Sequence, residues 1–431
     1  MKKTVSQATS LSGTVDLPAD KSISHRAALL SALGEGSSRI AGFPEAADPQ
    51  STLSCLRQLG VDTEWREADG SLRIEGRGLD GLEAPDAPLD CGNSGTTMRL
   101  LAGILAGQPF ESTLTGDASL RARPMERIAA PLRQMGAEVA LTDGGAPLRI
   151  SGTDRAGPLR PIEYELPVAS AQVKSCVLLA GLFAEGETTV IEPVRARDHT
   201  ERMLGLSVTT QDGARHITAR GGVPPRTRPW SVPKDFSAAA FFLVAASIAP
   251  EGDLHLPGTG MNPSRNAFLD VLRAMGADID AQHERTKGSE PRADLTVRPA
   301  RLQGVQVGGP RIPNLIDEIP VLAVAGTCAE GRTEVRDAAE LRVKETDRIA
   351  AMAKGLRALG ATVAPFEDGL AVDGPQPLTG ADVNSQGDHR VAMALAVAAL
   401  AAEGRTTITG AEAAQVSFPG FWDELERVTG G

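Results

Sequence analysis

The sequence predicts an α/β protein of two pseudo-symmetric domains, each made of three repeats of a βαβαββ-type unit. Two recurring signals carry this reading. The first is a phrase: LRQLGVD from Leu56, LRQMGAEV from Leu132, LRAMGADI from Leu272 and LRALGATV from Leu356. Weaker copies stand at Met203 (MLGLSVTT) and at the chain's end (LERVTGG). Their glycines, Gly60, Gly136, Gly205, Gly276, Gly360 and Gly430, fall at intervals of 76, 69, 71, 84 and 70 residues. The second signal is Glu-Gly before a β-rich stretch, in step at Gly36, Gly186, Gly252, Gly331 and Gly404, with Gly107 standing in its place in the second repeat.

Within each repeat the elements follow one order. A polar segment enters an Ala/Leu-rich helix: AALLSAL, LLAGILA, CVLLAGLFA, AAAFFLVAA, VLAVAGT and MALAVAALAA. These stretches are apolar on nearly every side, so the helices are expected to be buried. A Gly turn and a strand such as TTVIEP or TTITG follow. The second helix carries the LRxxG phrase, whose Gly is suited to a helix C-terminus, and a strand comes next. The Pro-rich stretch Val223 to Pro233 (VPPRTRPWSVP) is the candidate linker.

Composition narrows the function. With 44 basic and 55 acidic residues the chain carries a formal charge of −11, and its fourteen aromatics in 431 residues leave little for base stacking, so nucleic acid is not the expected partner. The longest apolar run, Val391 to Ala402, is too short to span a bilayer, and no apolar core follows the N-terminal lysines, so a cytoplasmic location is expected. Cys55, Cys91, Cys176 and Cys328 form no CxxC pair, and the six histidines show no metal-ligand spacing. No metal or cofactor is therefore expected, and free thiols are. Gly76, Gly78 and Gly81 fit GxGxxG, but LEAPDAPLD behind them opens no helix, which removes the dinucleotide reading.

Polar segments precede all six apolar helices: KSISHR (Lys21 to Arg26), NSGTTMR (Asn93 to Arg99), SAQVKS (Ser170 to Ser175), KDFS (Lys234 to Ser237), IDEIP (Ile316 to Pro320) and GDHR (Gly387 to Arg390). Helix N-termini present unpaired N–H groups and a positive dipole end. Their Ser, Asp and Asn residues suit simple N-caps. Six in phase, most with an Arg or Lys, point to anion binding.

These segments, with RARPMERI, RDHTERML and LRVKETDRIAAMA, resemble 5-enolpyruvylshikimate-3-phosphate synthases over essentially the whole chain, in a class II-like spelling. The resemblance implies the enolpyruvyl transferase fold, an inside-out α/β barrel in each domain. Residues 1–19 would join 231–431, 20–230 would form the other domain, and the active site would lie in the cleft between them. It also implies a monomer acting on phosphoenolpyruvate and shikimate 3-phosphate, a shikimate-pathway step toward aromatic amino acids. By motif match, Lys21, Asn93, Gly95, Arg123, Gln172, Arg348, His389 and Arg390 would bind phosphoenolpyruvate. Lys21, Ser22, Arg26, Ser170, Ala171, Gln172, Arg197, Asp317 and Lys344 would bind shikimate 3-phosphate. Lys21, Asp317 and Glu345 would carry the proton transfers. Arg forks and Lys point charges suit such polyanions.

Val416 stands where many class I members have a phosphoenolpyruvate-binding Lys, while Gly95 keeps the small residue that the herbicide glyphosate also needs, so herbicide response stays open. Three rival readings make different demands on the sequence. A UDP-N-acetylglucosamine enolpyruvyl transferase would have Asn after the early Lys and a reactive loop Cys. An RNA 3′-phosphate cyclase would need a nucleotide site, and a non-catalytic phosphate-ligand sensor would not need Lys21, Asp317 and Glu345 together.

Overall fold

The computed structural model describes residues 1–66 and 68–430. The chain divides into two compact units, one of Ala19–Val232 with Lys287–Glu290, the other of Met1–Pro18, Pro233–Thr286 and Pro291–Gly431.

In the unit Ala19–Val232 the apolar helices are α1 (Lys21–Leu33), α2 (Gly95–Leu105) and α3 (Ala171–Gly181). Each is buried over most of its length, as all-round apolar composition requires. Three four-stranded sheets accompany them, and in each the first strand lies parallel to the second, which pairs antiparallel with the fourth, which pairs with the third. The third sheet, for example, runs Glu163–Glu165, Glu187–Glu192, Ala214–Arg220 and Ser207–Gln211.

The first repeat borrows its leading strand from far along the chain. Trp230–Ser231 pairs parallel with Ile40–Ala41, and the buried Trp230 donates Nε1–H to Ser31 Oγ at 2.9 Å. The candidate linker Val223–Pro233 thus carries a two-residue strand, where the indole has a buried partner, and the boundary between the units falls at its end, Val232/Pro233.

In the other unit the apolar helices are α4 (Phe236–Ile248), α5 (Ile319–Cys328) and α6 (His389–Ala401). Every residue from Phe236 to Ser247 is buried, and so is every residue from His389 to Leu400. The N-terminus completes two of its sheets: Gly13–Thr14 lies parallel to Leu254–His255, and Lys2–Ser6 runs antiparallel to Arg405–Thr409.

The repeat glycines share one conformation. Gly60, Gly136, Gly205, Gly276, Gly360 and Gly430 all have φ between +68° and +98°, where a side chain costs about 1–2 kcal/mol. Gly107, the irregular member of the second series, is small for another reason: a Cβ there would lie 2.2 Å from Phe183 Cγ. Among the described residues no helix is long and apolar enough to cross a membrane, and Cys55, Cys91, Cys176 and Cys328 are free thiols.

Candidate active site

Side chains close the helix starts as the sequence implied. Asp20, Ser94 and Ser170 accept the backbone N–H groups of Ile23, Thr97 and Val173 at the starts of α1, α2 and α3. Asp235 and Asp388 do the same for α4 and α6. The exception is α5: Glu318 makes no cap bond because Arg265 takes both its oxygens. Ser170 thus serves as a cap at its expected binding position, and Ala171 opens α3 beside it.

In the unit Ala19–Val232, α1 delivers Lys21, Ser22 and Arg26 from its first two turns. Lys21 Nζ lies 2.9 Å from Asp48 Oδ2, on the first turn of the neighbouring helix Ala47–Gln58. Arg26 donates Nε–H to Thr200 Oγ1 (2.7 Å), Nη2–H to Ser175 Oγ (2.7 Å) and Nη1–H to Ser22 O (2.9 Å). Burial pulls its pKa down to about 10, against the opposing pull of Glu201 and Asp20.

The NSGT loop is held by Arg123, expected at the phosphoenolpyruvate site, and by Arg99, to which the sequence assigned no role. Arg123 Nη2–H donates to Asn93 Oδ1 at 2.7 Å, and Asn93 in turn donates to Asp117 at 2.7 Å. Gln172 accepts from Arg99 Nη1–H at 2.6 Å and donates to Thr96 Oγ1 at 3.0 Å. A Cβ at Gly95 would fall 2.8 Å from Arg99 Nη1 and 3.3 Å from Arg123 Nη1. Arg197 is half-buried, next to Ala196, whose N–H donates to the buried Glu192 at 2.9 Å. Beneath the helix starts, His25 Nδ1, Thr52 Oγ1 and Thr97 Oγ1 form a chain at 2.7 Å per link. Burial, then the charges of Lys21 and Arg26, hold the His25 imidazole well below its ordinary pKa, so it is neutral.

In the other unit, Arg348 gathers three carboxylates. It donates Nη2–H to Glu345 at 2.6 Å, Nη1–H to Asp317 at 3.3 Å and Nε–H to Asp388 at 2.8 Å, with only 2% of its side chain exposed. Burial disfavours its charge, but Asp388, Glu345 and Asp317 outweigh that and hold it above the usual arginine range. An anion arriving at Arg348 must therefore displace Asp317 or Glu345, or bind through the groups around them. Lys344 turns toward Glu340 at 3.3 Å. His389 is the buried first residue of α6, and Arg390 beside it donates Nη1–H to Ser237 Oγ.

Each unit thus collects its own share of the expected residues. Sequence reasoning missed Asp48, Asp388, Arg265 and Glu318. Asp388 and Glu318 stood inside the quoted helix-start segments, where Asp388 suited a cap and Glu318 drew no assignment. Asp48 and Arg265 carried no motif, since their partners lie far away in sequence. Among the described residues no group of three His, Cys, Asp or Glu side chains is arranged for a metal ion.

Among the described residues, five four-stranded sheets and a sixth of three strands, with Lys, Arg, Ser and Asp side chains at the helix starts, define the class as an enolpyruvyl transferase-type α/β protein. The fold matches the enolpyruvyl transferase NikO of Streptomyces tendae with a TM-score of 0.78 at 22% identity, over 99% of this chain and 96% of that one. It matches the EPSP synthase of Acinetobacter baumannii with a TM-score of 0.87 at 43% identity, over 99% and 98%. The family model for EPSP synthase (3-phosphoshikimate 1-carboxyvinyltransferase) matches residues 5–425. Proteins named 3-phosphoshikimate 1-carboxyvinyltransferase are 63% identical in Salinibacter ruber, over 100% of both chains, and 52% identical in Herpetosiphon aurantiacus, over 99% of both. The chain belongs to the EPSP synthase family.

Proposed function

We propose that the protein transfers the enolpyruvyl group of phosphoenolpyruvate to the 5-hydroxyl of shikimate 3-phosphate, releasing phosphate. In the addition step the hydroxyl oxygen bonds to C2 of phosphoenolpyruvate, the hydroxyl loses its proton, and C3 gains one to become a methyl group. In the elimination step C3 gives up a proton, the C2–O bond to phosphate breaks, and the enol ether double bond reforms. Asp317 takes the hydroxyl proton, the Lys21 ammonium holds the oxygen that loses it, and Glu345 serves C3 in both directions. Arg123, Arg348 and Arg390 neutralise phosphoenolpyruvate, while Arg26, Arg197 and Lys344 neutralise shikimate 3-phosphate. The protein works as a cytoplasmic monomer.

The observation that carries the reading is the joining of Asp317 and Glu345 through Arg348, within a chain matched over 5–425 by the EPSP synthase model. A guanidinium shared by two carboxylates holds both at one anion site, which a passive phosphate sensor does not require. The UDP-sugar alternative loses support from Cys91. Its thiol is buried and shifted up by its contact with Cys55 and by desolvation, which makes it a poor nucleophile.

The test is phosphate release from phosphoenolpyruvate with shikimate 3-phosphate or UDP-N-acetylglucosamine as acceptor. Release with shikimate 3-phosphate alone supports the reading. Release with the UDP-sugar alone replaces it, and silence with both reduces the protein to a binding module.

A further inference from the structure

Arg390 is expected at the phosphoenolpyruvate site, and its surroundings raise a charge problem. Its side chain is 8% exposed, and Nε is buried without a hydrogen-bond partner. Within 3.5 Å of its Nη1 lies Glu318 Oε1, on a carboxylate that is fully buried. Carboxylate and guanidinium form side-on pairs with two parallel hydrogen bonds wherever geometry allows. Such a pair would use up the edge of Arg390 that an anionic substrate needs.

That pairing does not occur here, because Glu318 is already engaged. Arg265 donates Nη1–H to Glu318 Oε2 at 2.8 Å and Nη2–H to Oε1 at 2.9 Å. Ser237 fills the remaining position: its hydroxyl donates to Glu318 Oε1 and accepts from Arg390 Nη1–H. Arg390 therefore forms no side-on pair with Glu318: it meets one oxygen at 3.5 Å and bonds the hydroxyl that lies between them. Two guanidiniums share one carboxylate, and Arg265 holds both of its oxygens. Burial opposes the charge of Arg265, but Glu318, with Asp317 and Asp235 further out, holds it above its ordinary range.

We propose that Arg265 is a positioning residue for the anion site: by occupying both oxygens of Glu318 it keeps that carboxylate off Arg390 and leaves the Arg390 guanidinium open to the phosphate or carboxylate of phosphoenolpyruvate. The inference rests on the function proposed above. It differs from a purely structural role in one respect, since the harm done by losing Arg265 comes from the released Glu318. Removing Glu318 as well must undo it.

The experiment compares wild type, R265M, E318Q and the double variant R265M/E318Q. It reads kcat and the KM for phosphoenolpyruvate at saturating shikimate 3-phosphate, and in parallel titrates inorganic phosphate calorimetrically. R265M is expected to raise KM roughly 10–100-fold, with kcat changed less than about threefold. The double variant, which removes both members of the Arg265–Glu318 pair and so releases no carboxylate, is expected to return KM to within about threefold of wild type.

A folded R265M with wild-type KM overturns the proposal, as does a double variant no better than R265M. If R265M does not fold, the double variant decides: a KM raised tenfold or more refutes the idea. If wild type turns over no phosphoenolpyruvate, the proposed function fails, and the phosphate titration judges the inference by itself. Weaker phosphate binding in R265M, restored in the double variant, supports it, and equal binding in all four overturns it.

Discussion

Lys21 Nζ and Asp48 Oδ2 form a 2.9 Å ion pair, with 20% and 10% of their side chains exposed. The pair ties the first residue of α1 to the first turn of the helix Ala47–Gln58, so the cation assigned to the reacting hydroxyl is aimed by a carboxylate that no motif announced. A hydrogen bond to a charged group contributes about 1.5–3 kcal/mol. Asp48→Asn is therefore expected to lower kcat/KM roughly 10–100-fold, and Lys21→Met to lower it further. Steady-state kinetics of both variants check this, and an unchanged Asp48→Asn enzyme would reduce the pair to a surface contact.

Gly95 bears on Arg99, in its own helix, and on Arg123, from another segment. The Cβ of Gly95→Ala would sit 2.8 Å from Arg99 Nη1, the group that donates to Gln172. Because the obstacle is the far end of a flexible side chain, the variant is expected to fold with a wild-type Tm. Arg99 must shift to make room, so its bond to Gln172 is expected to break and the KM for phosphoenolpyruvate to rise several-fold. A crystal structure of Gly95→Ala with the Arg99–Gln172 bond intact and an unchanged KM would count against this.

Glu345→Gln preserves the shape of the contact with Arg348 but removes the proton acceptor. Loss of a general acid–base group costs about 10²–10⁴-fold in rate. The expected outcome is a fall in kcat of that order with little change in either KM. A kcat equal to wild type would remove Glu345 from the proton transfers.

His25 makes stability depend on pH. Its folded-state pKa lies well below the ordinary 6.5, chiefly through burial, so below about pH 6.5 the unfolded chain takes up a proton that the folded chain does not. Its contribution to stability is thus fully present above pH 6.5 and declines as pH falls, by at most about 1.4 kcal/mol per pH unit. Urea unfolding from pH 7.5 to 5 is expected to show a shallower loss in His25→Gln than in wild type. Parallel curves would mean that His25 does not stay neutral on acidification.

The parts of the fold legible in the sequence are those with local causes. The six repeat glycines, four of them in LRxxG phrases, announced a backbone that only glycine adopts cheaply, and all six have positive φ. The capping residues Asp20, Ser94, Ser170, Asp235 and Asp388 were readable because a cap bond spans two or three residues. Trp230–Ser231 was read as linker because a two-residue edge strand has no periodicity, and its pairing with Ile40–Ala41 is a property of the whole unit. The same holds for Arg265 and Glu318, which are 53 residues apart and meet only once α5 has packed. The site's charges could be named by motif, but the partners that aim them could not.

The antiparallel pairing of Lys2–Ser6 with Arg405–Thr409 also sets an order of events during synthesis. Ala19–Val232 leaves the ribosome with nearly all its strands in hand, whereas Lys2–Ser6 must wait for Arg405–Thr409, far later in the chain. At elongation rates of about 5–20 residues per second, that wait lasts on the order of tens of seconds. Throughout it Lys2–Ser6 is an unpaired edge, and its two lysines supply the charge that discourages such an edge from recruiting a neighbouring nascent chain.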